Sequence, residues 1–595
     1  MSSHSLNKEY SGKRIFFVCT VQLLLFVCCI TVFATWSTTA ATGTSTGPRR
    51  GHHHPKEDGT ISKKNIILFL TDDQDVLLGG MDYMPFLKRH LQEQGATFDY
   101  GFVHSPVCCP SRSSILSGLY LHNGGAINNT AAGNCYGQRW REDIEPVRSL
   151  AVYAQQAGYV TSYAGKYLNE YGFGTDPQVP PGWDYWFGLV GNSIYYNYKV
   201  VESDDNGQSI HVTSHQHDYA TDYLPDLLAN RTLNVLQTLV HKQLQQNHHQ
   251  AQPFLAVLAW PTPHDPFTPA PWATNTRTDL KAPRTPNFNA SEQYMAHKHW
   301  LLRQLGPIDN AQEAWIDETY HHRIEALFSV DHHIDQIITL LEEQYVDVLN
   351  QTYFLFTSDN GWQMGQHRLR FDKRQLYEHD IRVPFVLRGP GIPTNVTLGK
   401  ECLVLNVDIA PTFFDIMHGL TEFSRNGDEN MDDRIWKSYY DMDGQSILPC
   451  FASSGSSKGR PTHQHQQQNQ PQQLRSDFLV SYFGEYHEPC ELFSCNAMPP
   501  LGTVPWDAKN NTYNCVRTAN DTENSIYCRF VDDENFGEYY NLTRDPWQLE
   551  NMYFDLSSQA KWYYNQRLQE LQVCQGRSCR STSLHAATRG TTAES

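Results

Sequence analysis

Positive charge is what this chain has least of: 46 Lys and Arg stand against 64 Asp and Glu, a formal net charge of -18 at pH 7. A polyphosphate backbone is repelled by such a chain, which excludes nucleic acid as its partner and requires any anionic ligand to be met by locally placed cations. No internal repeat is found, which excludes a repeat architecture. Long apolar runs are almost absent as well. The exception, "IFFVCTVQLLLFVCCITVFATW" from Ile15 to Trp36, follows Lys8, Lys13 and Arg14 and is long enough to cross a bilayer of roughly 30 Å. Residues 1–36 therefore read as a signal peptide or signal anchor that sends the body to the secretory lumen. The small residues of "STTAATG" suit cleavage, and an uncleaved run would anchor the protein in the membrane.

What is present is enough for a large core. Of 595 residues, 40% are hydrophobic and 12% aromatic, as expected for one big domain with a smaller one. Eight N-x-[ST] triplets, headed by Asn128, Asn230, Asn289, Asn350, Asn395, Asn510, Asn520 and Asn541, suit a lumenal glycoprotein. Of the 14 cysteines, three lie in the apolar run, leaving an odd eleven in an oxidising compartment.

Residues 37–62 read as a linker. From Asn65 onwards short apolar runs alternate with helical patterns, the signature of an α/β fold with a mixed, largely parallel sheet covered by helices over residues 63–449. "NIILFL" ends in "TDDQD", "PFLAVLAW" in "PTPHDPF" and "TYFLF" in "TSDNG". Ligands collect outside the carboxyl ends of such strands, so these polar ends are expected to meet in one crevice. A helix between the last two carries Ile324, Leu327, Phe328, Ile334, Ile338 and Leu341 at helical spacing. Its His321–His322 and His332–His333 pairs are adjacent, about 100° apart, which favours packed or solvated roles over a shared metal. The Ser/Gly then Gln/His/Pro stretch at 450–475 lacks the apolar residues of a core and reads as a disordered insertion. Short strand patterns rich in cysteine then predict a small antiparallel domain over 476–580, followed by a disordered tail at 581–595.

Asp72 and Asp73 end one strand, Asp359 and Asn360 another, and together they supply four hard oxygen ligands suited to calcium or magnesium. In "SPVCCPSRSSILSGLY", Pro110 sits where a first-turn proline belongs. Cys108 and Cys109 thus lie at a helix N-terminus, where an oxyanion is stabilised.

The run Cys108, Cys109, Pro110, Ser111, Arg112, followed by Ser117–Gly118, resembles the C-x-P-S-R signature of the type I sulfatases, with Cys108 alone in register. The resemblance spans roughly Lys63 to Arg580 outside the insertion and is closest to the N-acetylglucosamine-6-sulfatase branch. It is carried by "LTDDQD", "AGKYLNEYG", "PPGW", "HKHW", "TSDNG", "DKRQLYEHDIRVPF", "LRGPGI", "NNTYNCVRT", "YNLTRDP" and "SCR". It implies an alkaline-phosphatase-like sandwich. It also implies that a formylglycine-generating enzyme oxidises Cys108 to an aldehyde during biosynthesis, leaving ten cysteines, an even number. Two departures stand out. The second basic residue of a Lys-x-His is absent from "KYLN", so Lys166 alone is carried over, and Trp362-Gln363 stands where relatives have Tyr-His.

The resemblance further implies that one Ca2+ is held by Asp72, Asp73, Asp359, Asn360 and the hydrated aldehyde at Cys108, one hydroxyl of which attacks sulfur. Three carboxylates against a divalent ion leave about -1, so a sulfate ester also needs Arg112, Lys166, His264 and Lys373. His264 or Lys373 would protonate the departing oxygen, and Arg112 and Lys166 would hold hydrate and sulfate. The expected activity is removal of 6-O-sulfate from N-acetylglucosamine of heparan or keratan sulfate in the lysosomal lumen. The alternatives are an extracellular heparan sulfate endosulfatase, a phosphate ester hydrolase of the wider superfamily, and a catalytically silent glycan-binding homologue; the alternative to the lysosomal lumen is a membrane-anchored or secreted protein.

Overall fold

A computed structural model describes residues 63–174, 177–245, 252–420, 433–451, 474–485 and 508–580. The apolar run, the linker and the C-terminal tail read from the sequence lie outside these residues. Twelve strands build the catalytic part: β1 (Asn65–Thr71), β2 (Ala96–Phe98), β3 (Gly101–Phe102), β4 (Val160–Lys166), β5 (Tyr185–Leu189), β6 (Lys199–Ser203), β7 (His211–Ser214), β8 (Phe254–Ala259), β9 (Thr352–Ser358), β10 (Phe385–Arg388), β11 (Val396–Leu398) and β12 (Val404–Leu405). Ten of them form one sheet in the order β11-β2-β10-β9-β1-β8-β4-β5-β6-β7, and β3 pairs with β12. The central run β9-β1-β8-β4-β5 is parallel throughout, whereas β10 and the outer β6 and β7 run antiparallel to their neighbours.

The unbroken apolar run of β1 follows from burial on both faces. Ile67 and Phe69 pack toward the long helices α3 (Leu224–Gln245) and α4 (Asn310–Gln344), against Leu236 and Ile338 among others. Ile66, Leu68 and Leu70 face the other way, into the core of α1 (Cys108–Ser117), α2 (Leu150–Gln156) and α5 (Ile409–His418). Helix α4 begins in a capping box, Asp309 accepting from the Ala311 and Gln312 N–H groups and Gln312 reaching back. Of its expected apolar stripe, Phe328 is only half-buried and the other five are buried.

The small domain is an antiparallel sheet, β13 (Asp477–Tyr482), β14 (Tyr513–Ala519), β15 (Asn524–Phe530) and β16 (Gly537–Asn541) in that order, backed by helix α6 (Ser558–Val573). The expected insertion at 450–475 is too wide. Cys450 is bonded to Cys402, Leu474 packs on the core, and Arg475 is buried on Asp408 at 2.5 Å, so these residues belong to the fold. Among the described residues four disulfides are formed, Cys109–Cys135, Cys402–Cys450, Cys515–Cys528 and Cys574–Cys579, and Cys108 is the free cysteine. No helix among the described residues is long and apolar enough to cross a membrane.

Candidate active site

The adjacent parallel strands β9, β1 and β8 end side by side, which brings the polar ends read from the sequence together. Asp72 and Asp73 follow β1, Asp359 and Asn360 follow β9, and His264 follows β8. Lys166 closes β4, where Gly165 is required: its φ is 123°, and a Cβ there would lie 1.8 Å from the Ala259 carbonyl oxygen. Helix α1 delivers Cys108 on its first turn and Arg112 on its second, and Gly118 ends it in a left-handed cap.

The side chains converge. Cys108 Sγ lies 3.7 Å from Asp72 Oδ1. Lys166 Nζ donates to Asp72 Oδ2 and Lys373 Nζ to Asp73, each at 2.7 Å. Arg112 donates from Nε to Asp359 and from Nη1 to the Lys166 carbonyl oxygen, both at 2.7 Å. The Asp73 N–H donates to Asp359 Oδ1 at 3.1 Å, and Asn360 Nδ2 to Asp73 Oδ1 at 2.7 Å. Asp72, Asp73, Cys108, Arg112, Lys166, Asp359 and Asn360 are buried. Asp73 adopts φ 65°, a strained value for a residue with a side chain and one often stored at a functional site.

The electrostatics call for a cation. Burial alone would raise the Asp72 carboxyl, but Lys166, His264, Arg112 and Lys373 hold it well below the ordinary carboxylate range. Asp359 goes the other way, burial and the neighbouring Asp72 pushing it to about 7 against Arg112. The ring nitrogen Nδ1 of His264 is 2.8 Å from the Asp265 carbonyl oxygen, which can only accept, so Nδ1 carries the hydrogen. Burial and Lys373 push that imidazole down to about 4, against the attraction of Asp73. Its bare Nε2 then faces Asp73 Oδ2 at 3.6 Å, an arrangement that needs a proton or a cation between them. The buried Asn360 Oδ1 has no hydrogen-bond partner. Ligand atoms of Asp72, Asp73, Cys108 and His264 lie within 4.8 Å of one another. Three carboxylates and an orphan amide oxygen fit a hard divalent ion.

Burial pushes the Cys108 thiol up to about 12, so it is no nucleophile as cysteine. The adjacent Cys109 is spent in its disulfide with Cys135.

Several residues in the site carried no motif. Ser193 donates its hydroxyl to Asp72 Oδ2. Arg323 of α4 donates to the carbonyl oxygens of Asp73 (2.6 Å) and Pro263 (3.0 Å), tying the β1 and β8 loops together. Trp362 is buried under Arg323 and Lys373, with their charged groups 4.7 and 5.1 Å from its ring. Arg323 had a sequence signal, standing seven residues after Ile316 and four before Leu327 on the buried stripe of α4. Ser193 had none.

The histidine pairs of α4 serve packing, with one difference from expectation. His333 bonds Asp226 at 2.9 Å and His332 bonds Gln336. Adjacent His321 and His322 do approach Glu325, all three offering ligand atoms within 4.8 Å. The Glu325 carboxylate, however, caps a loop by accepting from the Asn275 and Arg277 N–H groups. Among the sequons, Asn230, Asn350 and Asn395 are exposed, and Asn289, Asn510, Asn520 and Asn541 half-buried. Asn128 differs in burial: it is 7% exposed, and its Oδ1 accepts from the Thr130 N–H and hydroxyl, a turn that Asn520 makes in the same way with Thr522.

The comparisons with known proteins agree with this geometry. The chain is 39% identical over 530 residues to N-acetylglucosamine-6-sulfatase of Capra hircus, covering 87% of this chain and 85% of the relative. The Homo sapiens protein of that name is also 39% identical, over 87% and 86% of the two chains. An extracellular sulfatase SULF-1 homologue of Drosophila melanogaster is 38% identical over 66% of this chain but only 31% of its own length. Among solved structures, one in complex with its substrate D-glucosamine-2-N,6-O-disulfate superposes with a TM-score of 0.59 at 19% identity, over 87% of this chain and 98% of that one. A phosphonate monoester hydrolase from Silicibacter pomeroyi does so with 0.57 at 17% identity, over 85% and 95%. Residues 64–420 match the family described as Sulfatase. With the free buried cysteine at the head of α1 and the acidic strand ends around it, the chain belongs to the sulfatase family.

Proposed function

We propose that this sulfatase removes 6-O-sulfate from N-acetylglucosamine residues at the ends of heparan or keratan sulfate chains, in the lysosomal lumen. The observation that carries the reaction is the placement of Cys108, unpaired and buried between Asp72 and the N-terminus of α1. The substrate rests on the relatives named N-acetylglucosamine-6-sulfatase, which align over 87% of the chain. The shorter alignment with the SULF-1 homologue and the Gln-rich rather than basic insertion favour terminal over internal sites.

Asp72, Asp73, Asp359 and Asn360 would hold calcium. A formylglycine at Cys108 and the ion would together supply a hydroxyl nucleophile and neutralise sulfuryl charge. Arg112 orients Asp359 and pins the end of β4, and Lys166 sets Asp72. Burial disfavours the Lys373 ammonium, but Asp73 outweighs it and raises its pKa, so Lys373 keeps its proton. Neutral His264, with Nδ1 committed to Asp265, offers an acceptor at Nε2. Lys373 therefore meets the sulfate as a fixed cation, and His264 or Lys373 would supply the proton to a departing sugar oxygen. Since Cys108 is wholly inaccessible in the folded chain, its conversion would have to precede folding.

The test offers secreted holoenzyme two substrates at acidic pH: an oligosaccharide ending in 6-sulfated N-acetylglucosamine, and heparan sulfate with that residue only internal. Sulfate release from the first alone is expected. Release from internal sites overturns the terminal reading in favour of an endosulfatase.

A further inference from the structure

We propose that the C-terminal sheet acts on catalysis at one point: Asn511 and Tyr513 are positioning residues that fix Arg374, the residue next to Lys373. This rests on the reading of Lys373 as a group that meets the sulfate anion.

Lys373 stands in a long irregular connection between β9 and the short helix Glu378–Ile381. Its two neighbours are held in the left-handed region, Asp372 at φ 89° and Arg374 at φ 83°, and His367 and Arg368 earlier in the loop are at 50° and 62°. Residues with side chains stay in such conformations only where the surroundings over-determine them. Here the restraint converges on one residue, Arg374. The Arg374 N–H donates to the Pro106 carbonyl oxygen at 3.1 Å, two residues ahead of Cys108. The Arg374 carbonyl oxygen accepts from Asn511 Nδ2 at 3.1 Å and from Tyr513 Oη at 3.2 Å.

Both donors are wholly buried, and Tyr513 opens β14, which is paired on both edges. Four residues on, and on the same face of that strand, Arg517 donates to Glu378 at 2.8 Å and fixes the turn after the loop. Strand β14 is thus a template along which residues 374–378 are laid. At the other end, Lys373 Nζ reaches Asp73 at 2.7 Å, a contact that a shift of about 1 Å in the loop would break.

Tyr513→Phe keeps the ring and removes one donor, and Asn511→Leu removes the other at similar size. These are combined with Lys373→Ala in a double-mutant cycle, read as the affinity of the holoenzyme for inorganic sulfate by calorimetry. Amide hydrogen exchange at residues 372–375 gives a second readout. The paired donor variant is expected to weaken sulfate binding by roughly five- to tenfold, to speed exchange in that loop, and to add nothing once Lys373 is Ala. Equal losses with and without Lys373, or none in either, would overturn the brace. An unchanged affinity in Lys373→Ala alone would instead overturn the reading of Lys373 and this proposal with it.

Discussion

The carboxyl end of the central sheet and the C-terminal sheet both bury charge, and they do it differently. At the C-terminal sheet the ion pairs stand apart from one another, Arg517 with Glu378 and Arg567 with Asp477, each at 2.8 Å, Arg567 also meeting Glu570 at 2.9 Å. At the end of the central sheet Asp72, Asp73 and Asp359 crowd together, an amide oxygen of Asn360 is left without a partner, and one cysteine stays unpaired. Isolated pairs hold a fold together, whereas a cluster of carboxylates and cations that leaves an amide oxygen orphaned is a site awaiting a ligand. Size does not mark the difference. A depression of about 750 Å³ lies on the C-terminal sheet, lined by Tyr539, Tyr563, Arg544 and the sequon residues Asn520 and Asn541, and neither Cys108 nor the acidic strand ends line it.

The contrast can be broken most forcefully at the cysteines. Cys108→Ala is expected to lower sulfate release by on the order of 10⁴-fold or more with thermal stability kept. Removing the Cys515–Cys528 bridge should do the reverse: about 3 kcal/mol less stability by urea unfolding, with kcat per folded molecule unchanged. The cations come next. Lys166→Met should cost at least about 100-fold in kcat/KM, and Arg567→Met should cost stability alone. A loss of kcat in Arg567→Met would erase the distinction.

Chelation sharpens it further. Stripping divalent ions should abolish activity and lower the thermal midpoint, with hydrogen exchange rising at the ends of β1 and β9 and not in β13–β16. Readdition of calcium should restore both.

A last effect concerns a carboxyl in neither region. Glu145 is buried on Tyr167 and Trp140, and burial, against those hydrogen bonds, raises it from 4.5 to about 7. The native state then holds a proton that the unfolded chain releases. Its contribution is full below about pH 4.5, is lost as pH rises to about 7, and stays low above that. Glu145→Gln, which keeps the protonated shape, should match the wild type at pH 4.5 and exceed it by on the order of 3 kcal/mol at pH 7.5, by urea unfolding at each pH. Equal differences at both pH values would remove the buried proton.

The fold class and the acidic strand ends were legible because they are local: an apolar run that ends in an acidic pair fixes both the strand and where its carboxylates stand. Cys108 was legible through the five residues of its signature. Ser193, Arg323, Asn511 and Tyr513 act across long stretches of chain through single hydrogen bonds, which leave no spacing to read, although Arg323 did break an apolar stripe. Asn128 shows the converse, a perfect local triplet whose burial only the folded chain reveals. The edges of the insertion were blurred because composition averages over a window, whereas Leu474 and Arg475 are held by single contacts.

The most direct test of the central claim measures sulfate released from an oligosaccharide ending in 6-sulfated N-acetylglucosamine, by secreted wild type and by Cys108→Ala. Release by the wild type that disappears in the variant is the expected result. Release that survives in Cys108→Ala, or its absence from wild type carrying the aldehyde at residue 108, would contradict it.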